Sequence, residues 1–216
     1  GNALLDVVTG AVTPSGKLTD TWAENYSDYP ASATFAKADG DSMKEWYKEG
    51  IYVGYRYFET IPGAAEKVVY PFGYGLSYTT FEQTLDNLNV DLENETVTAN
   101  VTVKNTGSVA GKDVVQLYVS LPYTDYDKEH GVEKAAIQLL DYGKTAELAP
   151  GASETVTITA DMQNMASWDS TADNAAGTKG CYILDAGDYW FTIGNGAHEA
   201  CLLYTSDAAD DRISVD

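Results

Sequence analysis

From residue 81 onward the chain is written in short runs whose apolar and polar side chains alternate, each closed by turn residues. Val97, Ala99, Val101 and Val103 form one row, Val115, Leu117 and Val119 the next, then Val156, Ile158 and Ala160, and finally Tyr189, Phe191 and Ile193. A period of two places each row on one face of a strand. A strand that is apolar on one face only must bury that face against a second layer, and evenly spaced strands and turns make that layer another sheet. Asn105-Thr106-Gly107 turns the chain after the first row, and Pro150-Gly151 breaks a later hairpin. The polar, small-residue stretch from Ser167 to Gly180 reads as a surface loop.

The expected class is therefore mainly β, and residues 81–200 have the size of a fibronectin-III or immunoglobulin-like β-sandwich. The first 80 residues follow other rules. Asn2 can cap a buried helix that carries Ala3, Leu4, Val7 and Val8 on one face and closes at Gly10. Pro14-Ser15-Gly16 then turns into Lys17–Trp22, a β-prone run, so residues 1–30 read as the end of an α/β domain. Residues 24–46 lack periodicity and receive no fixed structure. Residues 47–58 alternate like a strand, with Ile51, Val53, Tyr55 and Tyr57 on one face and Tyr52, Arg56 and Phe58 on the other. Tyr70-Pro71-Phe72-Gly73-Tyr74-Gly75-Leu76-Ser77-Tyr78 looks like an inter-domain joint, which makes residues 31–80 a Tyr-rich connecting arm. Tyrosine suits such a place because its apolar body ends in a polar tip.

Charge narrows the partners. The formal net charge is −20, which repels phosphate backbones and anionic lipid surfaces. No apolar run approaches the roughly 18 residues of a membrane span. Neither nucleic acid nor membrane is expected as a partner, and localisation stays open. Cys181 and Cys201 have no CxxC spacing and read as free thiols.

Motifs for chemistry fail on inspection. Gly75-Leu76-Ser77-Tyr78-Thr79 lacks the second glycine of a nucleophile elbow. His198-Glu199 has Leu202 where a zincin needs its second histidine. Asp125-x-Asp127-x-Glu129 opens like a calcium loop, but His130 and Ala136 stand where Gly and a bidentate Glu are needed. Asn25, Asn94 and Asn100 begin glycosylation sequons that matter only in a secretory pathway. Among 33 acidic residues, choosing two for glycoside hydrolysis has no specificity. Arg56, set among aromatics, reads first as structural glue, by a cation–π contact or by pairing with Glu49 or Glu59, rather than as a substrate clamp.

Four ordered blocks carry a resemblance: residues 1–10, Thr13-Pro14-Ser15-Gly16-Lys17-Leu18, Glu49–Phe58 and Tyr70–Tyr78. Together they resemble family 3 glycoside hydrolases of the β-glucosidase type. Asn105-Thr106-Gly107, Ala110–Val119 and Leu148-Ala149-Pro150-Gly151 are similar to that family's fibronectin-III-like module. The resemblance implies a parent enzyme that hydrolyses β-glucosides with retention, through a glycosyl-aspartate and a Glu acid/base, without metal or cofactor. It places both catalytic residues outside this chain, so none is assigned here and the substrate-binding residues stay unknown. The β-glucoside or oligosaccharide would be met by the complete enzyme, in which the barrel and the rest of the α/β domain are this region's partners. Residues 168–197 depart from the module's shorter form and resemble variants in which the barrel follows this region, so domain order stays open. A free-standing carbohydrate-binding or adhesive sandwich is the alternative reading.

The run Cys201-Leu202-Leu203-Tyr204-Thr205-Ser206-Asp207-Ala208-Ala209-Asp210 looks like the translation of a transposase-type sequencing adapter. Residues 201–216 are accordingly expected to be non-native and to pack on nothing specific.

Overall fold

The computed structural model describes residues 1–36, 40, 43–207 and 212–215. Helix α1 (Asn2–Val8) has Gly1, not Asn2, at its N-cap and no side-chain cap, and it closes at Thr9 and Gly10 as the sequence predicts. It is not buried: Leu4, Leu5 and Val8 are 70%, 60% and 70% exposed. The strand predicted over Lys17–Trp22 shrinks to β1 (Trp22–Ala23). Leu18 nonetheless pairs through its backbone with the joint, donating to the Tyr74 carbonyl at 2.7 Å and accepting from the Gly73 N–H at 2.8 Å.

Residues 24–36 are more ordered than expected, with two 3₁₀ turns at Tyr26–Asp28 and Pro30–Ala33. The Tyr29 hydroxyl ties them down, accepting from the Ala23 N–H at 2.9 Å and donating to the Thr21 carbonyl at 3.0 Å. The remainder of that stretch, 37–39 and 41–42, lies outside the described residues.

The strand predicted over 47–58 is not formed. Gly50 and Gly54 take φ of 61° and 58°, which breaks extended backbone, and the chain turns into helix α2 (Tyr55–Thr60). Helical spacing buries Phe58 edge-on against Tyr29, with ring centroids 5.6 Å apart. Strand β2 (Val68–Tyr70) then pairs antiparallel with β1.

The sandwich follows the predicted rows. Strands β3 (Phe81–Asp91), β4 (Thr96–Asn105) and β7 (Ser153–Asp161) form one antiparallel sheet in the order β3-β4-β7. The facing sheet runs β11-β10-β5-β6, from β5 (Val114–Ser120), β6 (Gln138–Lys144), β10 (Gly187–Gly194) and β11 (Arg212–Val215). Val97, Ala99, Val101 and Val103 meet Val115, Leu117 and Val119 across the gap, all fully buried, with Val156, Ile158, Ala160, Tyr189 and Phe191 in the same core. Ile193 is only partly buried at its margin.

Two expectations fail in this half. The loop predicted over Ser167–Gly180 is mostly the hairpin β8 (Ser167–Asp173) and β9 (Lys179–Ile183), which shows no inward apolar row because its buried positions in β8 are the polar Ser167 and Asp169. The expectation that residues 201–216 pack on nothing also fails where they are described. Helix α4 (Ala197–Asp207) starts on the fully buried Ala197 and Ala200, so its next residue, Cys201, packs against the same cluster as Tyr118 and Ile137. The backbone of Arg212–Val215 pairs with Gly187–Trp190, supplying partners to a strand that would otherwise have an open edge. Residues 208–211 and 216 lie outside the described residues.

Asn105 locks the corner where arm, turn and both sheets meet. Fully buried, its side chain accepts from Thr79 Oγ1 at 2.7 Å and the Gly107 N–H at 3.0 Å, and donates to the Val109 and Leu148 carbonyls, each at 2.8 Å. That exhausts the bonding capacity of an amide. Asn105→Ala leaves these four groups without their buried partner and is expected to cost about 3 kcal/mol. Urea melts should show a lower midpoint with an unchanged slope. Thr106→Ala, on the exposed side of the same turn, should stay within about 0.5 kcal/mol.

Candidate functional surface and cleft

Two surfaces stand out. At the N-terminal end, α1 presents its exposed leucines beside a groove of about 440 Å³ lined by Leu18, Trp22, Tyr70, Tyr74 and Leu76. Trp22 and Tyr70 meet edge-on at 6.3 Å, yet Trp22 stays 55% and Leu76 68% exposed. The Tyr78 hydroxyl donates to the Val7 carbonyl at 2.7 Å, fixing the helix to the joint. Large apolar side chains exposed together in this way are the pattern that marks an interaction face.

The second surface is a cleft of about 450 Å³ where the arm crosses the sandwich. Ile51 and Arg56 come from the arm, Glu133 and Lys134 from the segment after helix α3 (Asp125–His130), and Trp168 and Tyr182 from the β8–β9 hairpin. Arg56 does not form the pair expected of it. Glu59, 3% exposed at its side chain, is taken instead by His198, Oε2 to Nδ1 at 2.9 Å. Among the described residues Arg56 has neither an ion pair nor a cation–π contact, and its side chain lines the cleft.

The acidic stretch at 125–129 folds as α3, not as a calcium loop. Thr124 caps the helix, and Asp127 reciprocates by accepting from the Thr124 N–H at 2.6 Å. The same carboxylate holds Lys134 Nζ at 2.8 Å. Lys134 is almost wholly buried and also bonds Asp185 and, at 2.7 Å, the Pro122 carbonyl. The Thr-x-x-Asp spacing was a legible capping signal, but nothing in the sequence linked it to Lys134 and Asp185. Among the described residues no group of three or more His, Cys, Asp or Glu is placed to hold a metal ion. His198 is spent on Glu59, Glu199 accepts from the Asn195 N–H at 2.9 Å, and Ser77 Oγ accepts from the Thr79 N–H at 3.2 Å. Cys181 and Cys201 are both free thiols.

Asp169 anchors the hairpin. Its side chain accepts from the Tyr126 hydroxyl at 2.6 Å, from the Thr171 N–H and hydroxyl at 2.6 and 2.8 Å, and from the Ala172 N–H at 3.1 Å. The Tyr126 bond leads in holding this carboxyl well below the usual range; burial opposes it and Thr171 and Ala172 reinforce it. The same bond pushes the Tyr126 phenol up.

Comparison with known proteins agrees with both halves of the architecture. Residues 1–55 match the glycosyl hydrolase family 3 C-terminal domain, and residues 113–197 match a fibronectin type III-like domain. Beta-glucosidase A of Butyrivibrio fibrisolvens is 42% identical over 228 aligned residues, covering 99% of this chain and 26% of its own length. A beta-glucosidase of Ruminococcus albus is 38% identical, over 96% of this chain and 20% of its own. Among solved structures, a beta-glucosidase from Paenibacillus barengoltzii superposes with a TM-score of 0.78 at 38% identity, covering 99% of this chain and 21% of that one. Beta-glucosidase 3B from Thermotoga neapolitana, in complex with α-D-glucose, gives 0.77 at 33% identity over 100% of this chain and 26% of that one. The chain thus spans between a fifth and about a quarter of the length of these relatives.

The Asp169 network has a pH signature. Its carboxyl titrates lower in the folded protein than the roughly 3.9 of an unfolded chain, so its contribution is complete above that value and is lost as pH falls through it toward the folded value. The stability difference between the wild type and Asp169→Asn should be largest above about pH 5 and shrink steadily toward about pH 2. Urea midpoints of both proteins across that range check the slope.

Proposed function

We propose that this chain, which belongs to family 3 of the glycoside hydrolases, is the scaffold portion of a retaining β-glucosidase-like enzyme acting on terminal O-linked β-glucosides. In this reading residues 1–30 end the α/β domain, 31–80 are the connecting arm and 81–200 the fibronectin-III-like module that buttresses the catalytic domains. The carrying observation is the exposed apolar face of α1 together with the Trp22–Leu76 groove, a surface suited to a further part of the same enzyme. A free-standing carbohydrate-binding module has no use for that face, which is why it ranks second.

The catalytic pair is assigned outside these residues because the chain resembles beta-glucosidases of which it spans only about a fifth to a quarter, and no carboxylate pair among the described residues argues otherwise. Retention needs two carboxylates roughly 5 Å apart with open access to the sugar, one of them free to exchange a proton. The structure brings Asp127 and Asp185 to one place, but both are bound to the buried Lys134, and burial on that scale excludes an incoming glycoside. What these residues supply is shape: they hold the arm against the sandwich and leave the face of α1 free to meet the rest of the enzyme.

The isolated chain should give no turnover of aryl β-glucosides above buffer. Substituted for the matching region of the Butyrivibrio fibrisolvens relative, it should support a folded enzyme that keeps β-glucosidase activity. Turnover by the isolated chain that disappears on changing one internal Asp or Glu would overturn the proposal. So would a folded but inactive chimera.

A further inference from the structure

We propose that the cleft beside Trp168 is a saccharide-binding subsite of the fibronectin-III-like domain that takes one or two pyranose units of a β-linked gluco-oligosaccharide. The choice of saccharide rests on the β-glucosidase reading above; the existence of a ligand site rests on geometry.

The indole is a prepared platform. Trp168 is 51% exposed, and one part of its ring lies so close to Gly180 that a Cβ there would come within 2.6 Å of its Cζ2 and 2.9 Å of its Cη2. Gly180, at φ 99°, lets the ring lie directly on the β9 backbone. Tyr182, 64% exposed, meets it at 5.1 Å and 70°, forming an aromatic corner. The adjacent Asp169 is pinned by its four hydrogen bonds, which anchors the strand beside the indole. A large aromatic surface kept in water on an anchored strand is suited to binding, since less freedom is lost when a ligand stacks.

Polar groups converge on the same space. Arg56 offers a guanidinium with no ion pair among the described residues, and the exposed Glu133 lines the same cleft. Gln138 donates its amide N–H to the Asn164 carbonyl, which leaves its Oε1 as an acceptor. A pyranose has an apolar C–H face and a rim of hydroxyls that both donate and accept. It therefore matches a cleft lined by an aromatic wall, a guanidinium, a carboxylate and an amide. The cleft's volume of about 450 Å³ is at the small end of ligand sites, in keeping with one or two sugar rings. An anionic stacking ligand such as a nucleotide is disfavoured by Glu133 and by the net charge of −20.

The test is titration of the 216-residue chain with cellotetraose and with laminaritetraose, followed by tryptophan fluorescence and by amide NMR shifts. Saturable binding to at least one of them is expected, weakened about tenfold or more in Trp168→Ala, a loss on the scale of one aromatic contact. Trp168→Phe should recover part of it. Arg56→Ala should weaken binding as well, and circular dichroism melts confirm that each exposed-site variant is folded. Absence of saturation up to about 20 mM for both sugars, beyond the weakest useful affinities, overturns the proposal. Unchanged affinity in Trp168→Ala overturns it too, because binding would then lie elsewhere. Binding is read on the chain itself and hydrolysis on the chimera, so failure of one is distinguishable from failure of the other.

Discussion

Strand β5 is buried on both faces, and the rest of the molecule is arranged around that constraint. Its inner row, Val115, Leu117 and Val119, fills the gap between the sheets, while Tyr118 points to the other side with no exposure at all. An outer sheet face of an ordinary sandwich would be wet. Here Tyr55 and Phe72 of the arm, Leu139, Ala197 and Ala200 close over Tyr118. Tyr55 tilts onto Phe72 at 4.6 Å, and its hydroxyl accepts from the Leu139 N–H at 2.9 Å. The Tyr118 hydroxyl, cut off from water, donates to Gln116 at 2.7 Å, and burial pushes its titration far up. The arm is therefore part of the sandwich's own core.

This arrangement places the cleft. Because α2 is pinned by Tyr55 and by the Thr60 hydroxyl, which accepts from the Ala136 N–H at 2.9 Å, Arg56 is fixed at the edge of β6. The hairpin reaches the same edge from the other direction, held by the bond between Asp169 and Tyr126 on α3. Buried ions tie α3 to the sheets: Lys134 joins it through Asp127 to Asp185 at the approach to β10. Such a buried cluster adds little net stability, since desolvation offsets the attraction, but it strongly disfavours any other placement of its members. One oxygen of Asp127 is left without a hydrogen-bond partner, a local cost of that placement.

The sequence of this chain determined the inward rows of the sandwich, the turns at Asn105–Gly107 and Pro150–Gly151, and the end of the first helix, because each depends on neighbours a few residues away. The family was legible for the same reason: its motifs are local runs. The arm was misread because Ile51–Phe58 alternates convincingly, while two glycines at positive φ turn it into a helix. The β8–β9 hairpin was missed because the buried positions of β8, Ser167 and Asp169, are polar and make no apolar row. Its stability comes from partners 43 residues away, as in Tyr126 with Asp169, and these distances leave no periodic trace. Only the tertiary structure could decide that Glu59 belongs to His198 and leaves Arg56 to the cleft, or that Gly180 exists to seat Trp168. Periodicity records which face a side chain takes; which distant group it meets there is set by packing, and that information is carried by no stretch of sequence shorter than the fold.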